Sequence, residues 1–345
     1  MIKDMELSQA TVEIQTSRAT YTLPAEQINI GAVSALLGTA LDLADLDVSI
    51  EISEPTSDMV EVVESSMEEG NLSIVIPPVS FTVHADYQGK RVDIAQFTAY
   101  VTRLIAIPAG VDPGRITTGT VVDSDGTVRH VPTKVVVIDG IYYAQINSMT
   151  NSVYTVVWNP AQFIDLGTHW ARDEVNDMGA RLVVFGEEDG TFNPNRSVSR
   201  GEFFASAARG LGLNAVDTAG LFSELNAGDP NIGAIAAAFD YRLFSGFEDG
   251  SYRLADRLTR EQAAAVLIQM LRIAGAKLPV SAADALADFS DGSSVAGWAQ
   301  DNVKLAVAAG LLKGRSEGKL SPKDYVTRAE AAVMIRRALE YADLI

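Results

Sequence analysis

"GEEDGTFNPNRSVSRGEF", residues Gly186–Phe203, decides the reading of the second half of this chain, because it occurs there three times. Beside it stand "GFEDGSYRLADRLTREQA" at Gly246–Ala263 and "GRSEGKLSPKDYVTRAEA" at Gly314–Ala331, equal in length and aligned without a gap. Gly186, Gly246 and Gly314 match, as do Gly190, Gly250 and Gly318, and Arg200, Arg260 and Arg328. Upstream, Phe163, Phe222 and Phe289 open the copies, and Asp165 and Asp291 follow the first and third. Self-similarity of this kind marks a repeat architecture.

Each copy reads as helix, Gly-rich loop, helix. The first helix is expected to end near the first glycine, which suits a left-handed C-cap. The second starts at "SRGE", "TREQ" or "TRAE", where Ser or Thr is followed three residues later by Glu or Gln, the capping-box pattern. Its apolar face follows at helical spacing, as in Phe203, Phe204, Ala207 and Leu211. One such hairpin cannot bury its face alone, whereas three can close together. The expectation is an all-α, pseudo-threefold bundle over residues 159–345, with repeats at 163–214, 222–276 and 289–341.

Residues 1–158 have a different period. "TVEIQT", "VSIEIS", "LSIVI" and "VSFTVHADY" are short β-branched runs, while "AVSALLGTAL" is long enough for one short helix. Asp125-Gly126 and Asp139-Gly140 sit between such runs and predict type I′ hairpin turns, as does "DYQGKRV". This half is expected to be an all-β, sandwich-like domain serving as stem or spacer. Trp158-Asn159-Pro160 is the natural joint, since proline discourages continuation of either element.

Composition excludes several functions. A formal charge of −18 over 345 residues leaves no basic footprint for nucleic acid. The absence of cysteine rules out disulfides, thiolate metal sites and cysteine nucleophiles. No run of 18 apolar residues is present, so no membrane insertion is expected. The N-terminus lacks a basic segment followed by an apolar one, and the repeats favour a piece of a longer exported protein over an intracellular one. His84, His130 and His169 lack metal-ligand spacing. "DSDG" and "EEDG" lack the ligand ladder of a calcium loop. Among 45 acidic residues, no carboxylate pair stands in a recognisable glycosidase context. No cofactor, metal site or enzymatic activity is expected, although action of the β domain on polysaccharide is a third reading.

The arginine after each cap is the unusual feature. At the first helical position a cation is disfavoured by roughly 0.3–1 kcal/mol. Two readings account for it. Free helix amides and a guanidinium fork together suit a carboxylate ligand. Alternatively, the arginine pairs with an acid of a neighbouring copy, such as Asp165 or Asp291, and locks the bundle.

The copies resemble S-layer homology (SLH) domains, on "FIDLGTHWA", "GEEDGTFNPNRSVSRGEF", "FSDGSSVAGWA" and "TRAEA". The resemblance implies an extracellular module at the Gram-positive cell wall that binds secondary cell wall polysaccharide, often pyruvylated, with the "TRAE" arginine as a recurrent contact. The preceding β region looks like the segment before such units in some large surface proteins. The expected contacts are Arg200, Arg260 and Arg328, with the loops at Asp189-Gly190, Asp249-Gly250 and Glu317-Gly318. Trp170 and Trp298, at equivalent places in the first and third copies, offer ring faces to a sugar or lie in the core. The rival is a surface-layer assembly module that touches other surface-layer proteins and no glycan. The middle copy departs most: it has Asp229-Pro230 for His169-Trp170, and no loop proline.

Overall fold

The computed structural model describes residues 11–41, 45–214, 224, 228–316 and 318–345. The chain divides into two compact units, Met1–Asn159 and Pro160–Ile345.

The first unit holds eleven antiparallel strands among its described residues. One sheet has the order β1 (Thr11–Gln15), β2 (Ala19–Pro24), β6 (Gln96–Ala106), β10 (Ile141–Thr150), β9 (Thr133–Ile138). The other has the order β3 (Asp47–Ser53), β4 (Ser73–Tyr87), β11 (Val153–Trp158), β7 (Thr118–Val122), β8 (Val128–Val131), with β5 (Lys90–Asp93) also paired to β4. Alternate residues such as Val79, Phe81, Val83 and Ala85 of β4 turn inward and share one core with Tyr21 of β2 and Ile105 of β6, as period-two geometry requires. At one inward position stands a cation. Arg103 is 0% exposed, with its guanidinium over the Tyr21, Phe81 and Tyr154 rings at 4.9, 5.4 and 4.6 Å. It donates to the Thr150 carbonyl and to Asn151 Oδ1 at 2.6 and 2.7 Å.

The two antiparallel sheets agree with the sandwich-like expectation, but the unit is not all-β, since two helices accompany them where one was expected. The short helix within "AVSALLGTAL" is α1 (Ile30–Leu37). The second, α2 (Ser57–Glu69), is not among the elements expected from the sequence; the Thr56 side chain caps it and Val63, Ser66 and Met67 are its buried face. That face follows the i, i+3, i+4 rule, so the helical period was present in an acidic stretch. At the turns, Asp139 and Gly140 both have positive φ (51° and 81°), whereas of Asp125 and Gly126 only the glycine does. Asp125 instead accepts from the Thr127 amide at 2.9 Å.

The second unit contains α3 (Arg172–Ala180), α4 (Arg200–Gly210), α5 (Ile232–Asp240), α6 (Arg260–Ile273), α7 (Gln300–Ala308) and α8 (Arg328–Tyr341), with 3-10 turns at Gly292–Ser294 and Gly297–Ala299. It is not the all-α pseudo-threefold bundle expected, because strand-like pairing is mixed with the helices. Antiparallel bridges join Ser199 to Arg257, Thr259 to Tyr325 and Ser197 to Thr327, and a fourth joins Ser316 to Lys319. At their centre Val198 N–H donates to the Val326 carbonyl, Val326 to Leu258, and Leu258 back to Val198 (2.9, 2.9 and 3.2 Å). All three side chains are buried. Extended backbone entering a core must pair its polar groups, and here each segment pairs with the other two.

The first glycine of each copy is not a helix cap. Leu182, Arg242 and Gly310 take the left-handed conformation after α3, α5 and α7. Gly186 is instead a close-approach site: a Cβ there would lie 2.7 Å from the Phe163 ring and 2.8 Å from the Thr191 carbonyl. At Gly314 the same atoms are the Phe289 ring and the Lys319 carbonyl. Phe222 lies outside the described residues.

Candidate functional site

Helices α4 and α8 begin in complete capping boxes, while α6 has only the returning half, since among the described residues Thr259 Oγ1 has no hydrogen-bond partner. Ser199 Oγ accepts from the Glu202 amide at 3.1 Å, and Glu202 accepts from the Ser199 amide at 2.8 Å. Thr327 and Glu330 make the same pair of bonds at 3.2 and 2.9 Å. In the middle copy the returning acceptor is neutral: Gln262 Oε1 takes the Thr259 amide at 3.0 Å. The next two amides of each helix are not free. Those of Arg200 and Gly201 donate to Asp256 and Leu254, those of Arg260 and Glu261 to Asp324 and Pro322, and those of Arg328 and Ala329 to Arg196 and Pro194. The expected amide cradle for an anion is therefore filled by the loop of a neighbouring copy.

The arginine side chains follow the same circuit, from first copy to second, second to third, and third to first. Arg328 Nε donates to the Phe192 carbonyl at 2.8 Å, Nη2 to Phe185 at 2.6 Å, and Nη1 to Glu202 Oε1 at 2.7 Å. Arg260 repeats this with Leu320 (3.0 Å), Lys313 and Glu330 Oε1 (3.1 Å), and is only 2% exposed. Arg200 does not. Its Nε donates to the Tyr252 carbonyl at 3.1 Å, and among the described residues its two Nη atoms have no hydrogen-bond partner. Its guanidinium lies between the Phe204 and Phe247 rings, at 5.1 and 4.8 Å.

Burial lowers the pKa of all three arginines, and nearby carboxylates oppose that shift. Burial alone would raise Glu202 and Glu330. Hydrogen bonds from Arg196 and the Ser199 amide hold Glu202 below its ordinary range, assisted by the Arg328 charge. Arg315, the Thr327 amide and Arg260 do the same for Glu330. Asp165 and Asp291 are not the arginines' partners. Asp165 accepts from the Phe192 and Asn193 amides, and Asp291 from those of Leu320 and Ser321, all at 2.8 Å. Glu224 does this for Tyr252 and Leu254 in the middle copy, where the sequence showed no clear aspartate.

A cleft of about 1340 Å³ opens at Arg200. Phe204 and Phe244, stacked at 4.0 Å, Phe247 and Trp298 give it aromatic walls. Ser245 also lines it. Ser245 aligns with Phe185 and Lys313, whose carbonyls hold Arg328 and Arg260. Gln262 lines the cleft as well, at the place occupied by Glu202 or Glu330 in the other copies.

The cleft brings together Arg200, Asp249 and Trp298 among the residues the sequence singled out. It leaves Arg260 and Arg328 in their own closed circuits, and it does not include Trp170 or Asp189. Trp298 and Trp170 are 61% and 60% exposed, so neither is core. Trp170 packs against His169, ring centroids 5.6 Å apart. Asp189 accepts from the Thr191 amide and hydroxyl, and Asp249 from Ser251 and Arg253, which holds both carboxyls below the usual range. The amides of Gly190 and Gly250 close these turns onto Glu187 and Phe247 at 3.0 and 2.9 Å. They are spent within the loops and are not offered as donors. Glu317 lies outside the described residues.

The S-layer homology domain family model matches residues 162–204 and 288–332. These two regions are S-layer homology domains. The matched SLH regions are the first and third copies, and the middle copy, with its neutral Gln262, falls between them. The chain is 31% identical over 195 residues to an amylopullulanase of Thermoanaerobacterium thermosulfurigenes, spanning 56% of this chain and 10% of that protein. It is 29% identical over 201 residues to a surface-layer 125 kDa protein of Lysinibacillus sphaericus, 57% of this chain and 16% of the other. It is 28% identical over 165 residues to a cellulosome-anchoring protein of Acetivibrio thermocellus, 46% and 36% respectively. The chain thus spans from a tenth to about a third of the length of these relatives. In the sequence the counter-charges Glu202 and Glu330 read as helix caps only. A single sequence carries no signal that a cap also reaches the arginine of another copy.

Proposed function

We propose that this chain attaches a longer exported protein to the bacterial cell surface by non-catalytic binding of an acidic, pyruvylated secondary cell wall polysaccharide. The observation that carries the reading is the Arg200 guanidinium in the aromatic cleft, with both Nη atoms free of protein partners among the described residues. A pyruvate ketal presents a carboxylate and a methyl group on a sugar. The guanidinium fork suits the first, and the rings of Phe247 and Trp298 suit the second and the sugar face. The cellulosome-anchoring and surface-layer relatives support a surface location. Among the described residues no helix is long and apolar enough to cross a membrane. The amylopullulanase match covers a tenth of that protein, in keeping with an attachment module shared among proteins of different activity.

In this reading Arg200, Trp298 and the Asp249-Gly250 turn form the primary contact. Trp170 and the Asp189-Gly190 turn give exposed surface for further sugars of the same polymer. For Arg260 and Arg328, the three internal bonds each makes favour the second reading, that of pins between copies. Co-sedimentation with purified wall sacculi, with and without their polysaccharide, tests the proposal. Binding is expected only when the polymer is present, and Arg200→Ala is expected to abolish it while far-UV dichroism stays unchanged. Undiminished sedimentation of Arg200→Ala would overturn it.

A further inference from the structure

The Arg200 site differs from the other two in lacking the loop-carbonyl bond to Nη2 that Phe185 and Lys313 supply, and in one charge. At Arg328 and Arg260 the capping-box carboxylate of the next copy sits on Nη1, at 2.7 and 3.1 Å. Each of these guanidinia already holds an anion of the protein's own in a largely buried pair. At Arg200 the same box position is Gln262. Its amide oxygen accepts from the Thr259 amide as a carboxylate would, so this bond of the helix start is kept while the negative charge is removed. Arg200 is nonetheless 6% exposed, and its free Nη edge faces the cleft. Asp256 and Glu224 act on it through space, but neither forms an ion pair with it. Arg253, on the cleft wall, is occupied by Asp249 at 2.8 Å.

We infer that Gln262 selects the site: its neutral amide leaves Arg200 receptive to a carboxylated saccharide, while Glu202 and Glu330 shut the corresponding sites at Arg328 and Arg260. The inference rests on the function proposed above and narrows it to one binding site per chain. An internal carboxylate at position 262 competes with the ligand's carboxylate for the same guanidinium edge, without the entropic cost of bringing in a second molecule. The chemistry of the occupant follows: a single carboxylate on an otherwise neutral sugar whose apolar face can lie on an aromatic ring.

Calorimetric titration of the full chain with a pyruvylated amino-sugar monosaccharide tests the selection. Wild type is expected to bind one equivalent. Gln262→Glu, which can still cap α6, is expected to weaken binding at least about tenfold, equivalent to roughly 1.4 kcal/mol. Glu202→Gln and Glu330→Gln, which keep their caps, are each expected to raise the stoichiometry to two. Three equivalents in wild type, or unchanged affinity in folded Gln262→Glu, overturns the selection and leaves the attachment function standing. If Gln262→Glu fails to fold, stoichiometry held at one in both Glu→Gln variants overturns it instead. Failure of wild type to bind both the monosaccharide and polymer-bearing sacculi removes the attachment function and the selection together.

Discussion

Arg200, Arg260 and Arg328 occupy one column of an ungapped alignment, yet they hold different positions energetically. Arg328→Ala strips Glu202 of a charge partner in a half-buried site and frees two loop carbonyls. It is expected to cost about 2–4 kcal/mol, seen as a lower urea midpoint for the second unit. Arg200→Ala loses one carbonyl bond and the ring contacts, about 1–2 kcal/mol on the same measurement. The carboxylates add a pH dependence. Folded Glu202 and Glu330 lie below their ordinary value of 4.5, so the stability they contribute is complete above it and is lost as the pH falls below it. Urea midpoints are expected to fall between neutral pH and about pH 3, less steeply in Glu202→Gln. The sequence made the arginine column and the one neutral cap readable. It concealed which partner each arginine meets, because every hydrogen bond these side chains make joins copies far apart along the chain.

At the scale of elements, capping-box patterns and apolar periodicity in the sequence locate α4, α6 and α8. Local hydrogen bonding and local period are both properties of adjacent residues. The strand-like segments escaped for the opposite reason. "SVSR", "RLTR" and "YVTR" each supply one paired residue on either side of a buried Val or Leu, too short for alternation to register. Helix α2 escaped because its acidic composition masked three buried positions at helical spacing. The Gly-rich loops are legible in the sequence, but the first glycine, which reads there as a cap, admits the opening phenylalanine instead. Gly186→Ala puts a methyl group 2.7 Å from the Phe163 ring and 2.8 Å from a backbone carbonyl. It is expected to destabilise the second unit by about 1–3 kcal/mol, measured as a lower thermal midpoint. The same change at Gly228, where a Cβ meets nothing within 4 Å, is expected to have little effect.

At the scale of the whole molecule, the two compact units part at Asn159–Pro160. The second unit, residues 160–345, is expected to fold alone and to sediment with polymer-bearing sacculi as the full chain does. A single cooperative urea transition, and undiminished sedimentation, would be the outcome. The unit's centre adds a further consequence. Val198, Leu258 and Val326 exchange their amides and carbonyls in a closed triangle, so no two copies alone satisfy it. During synthesis the earliest segment must therefore wait, its donor unanswered, until the last emerges. A polypeptide cut short before Val326 arrives with the triangle broken, and the Arg328 clasp on the first copy missing as well. Retention at the surface would then discriminate between finished and unfinished molecules, through the order in which the chain is made.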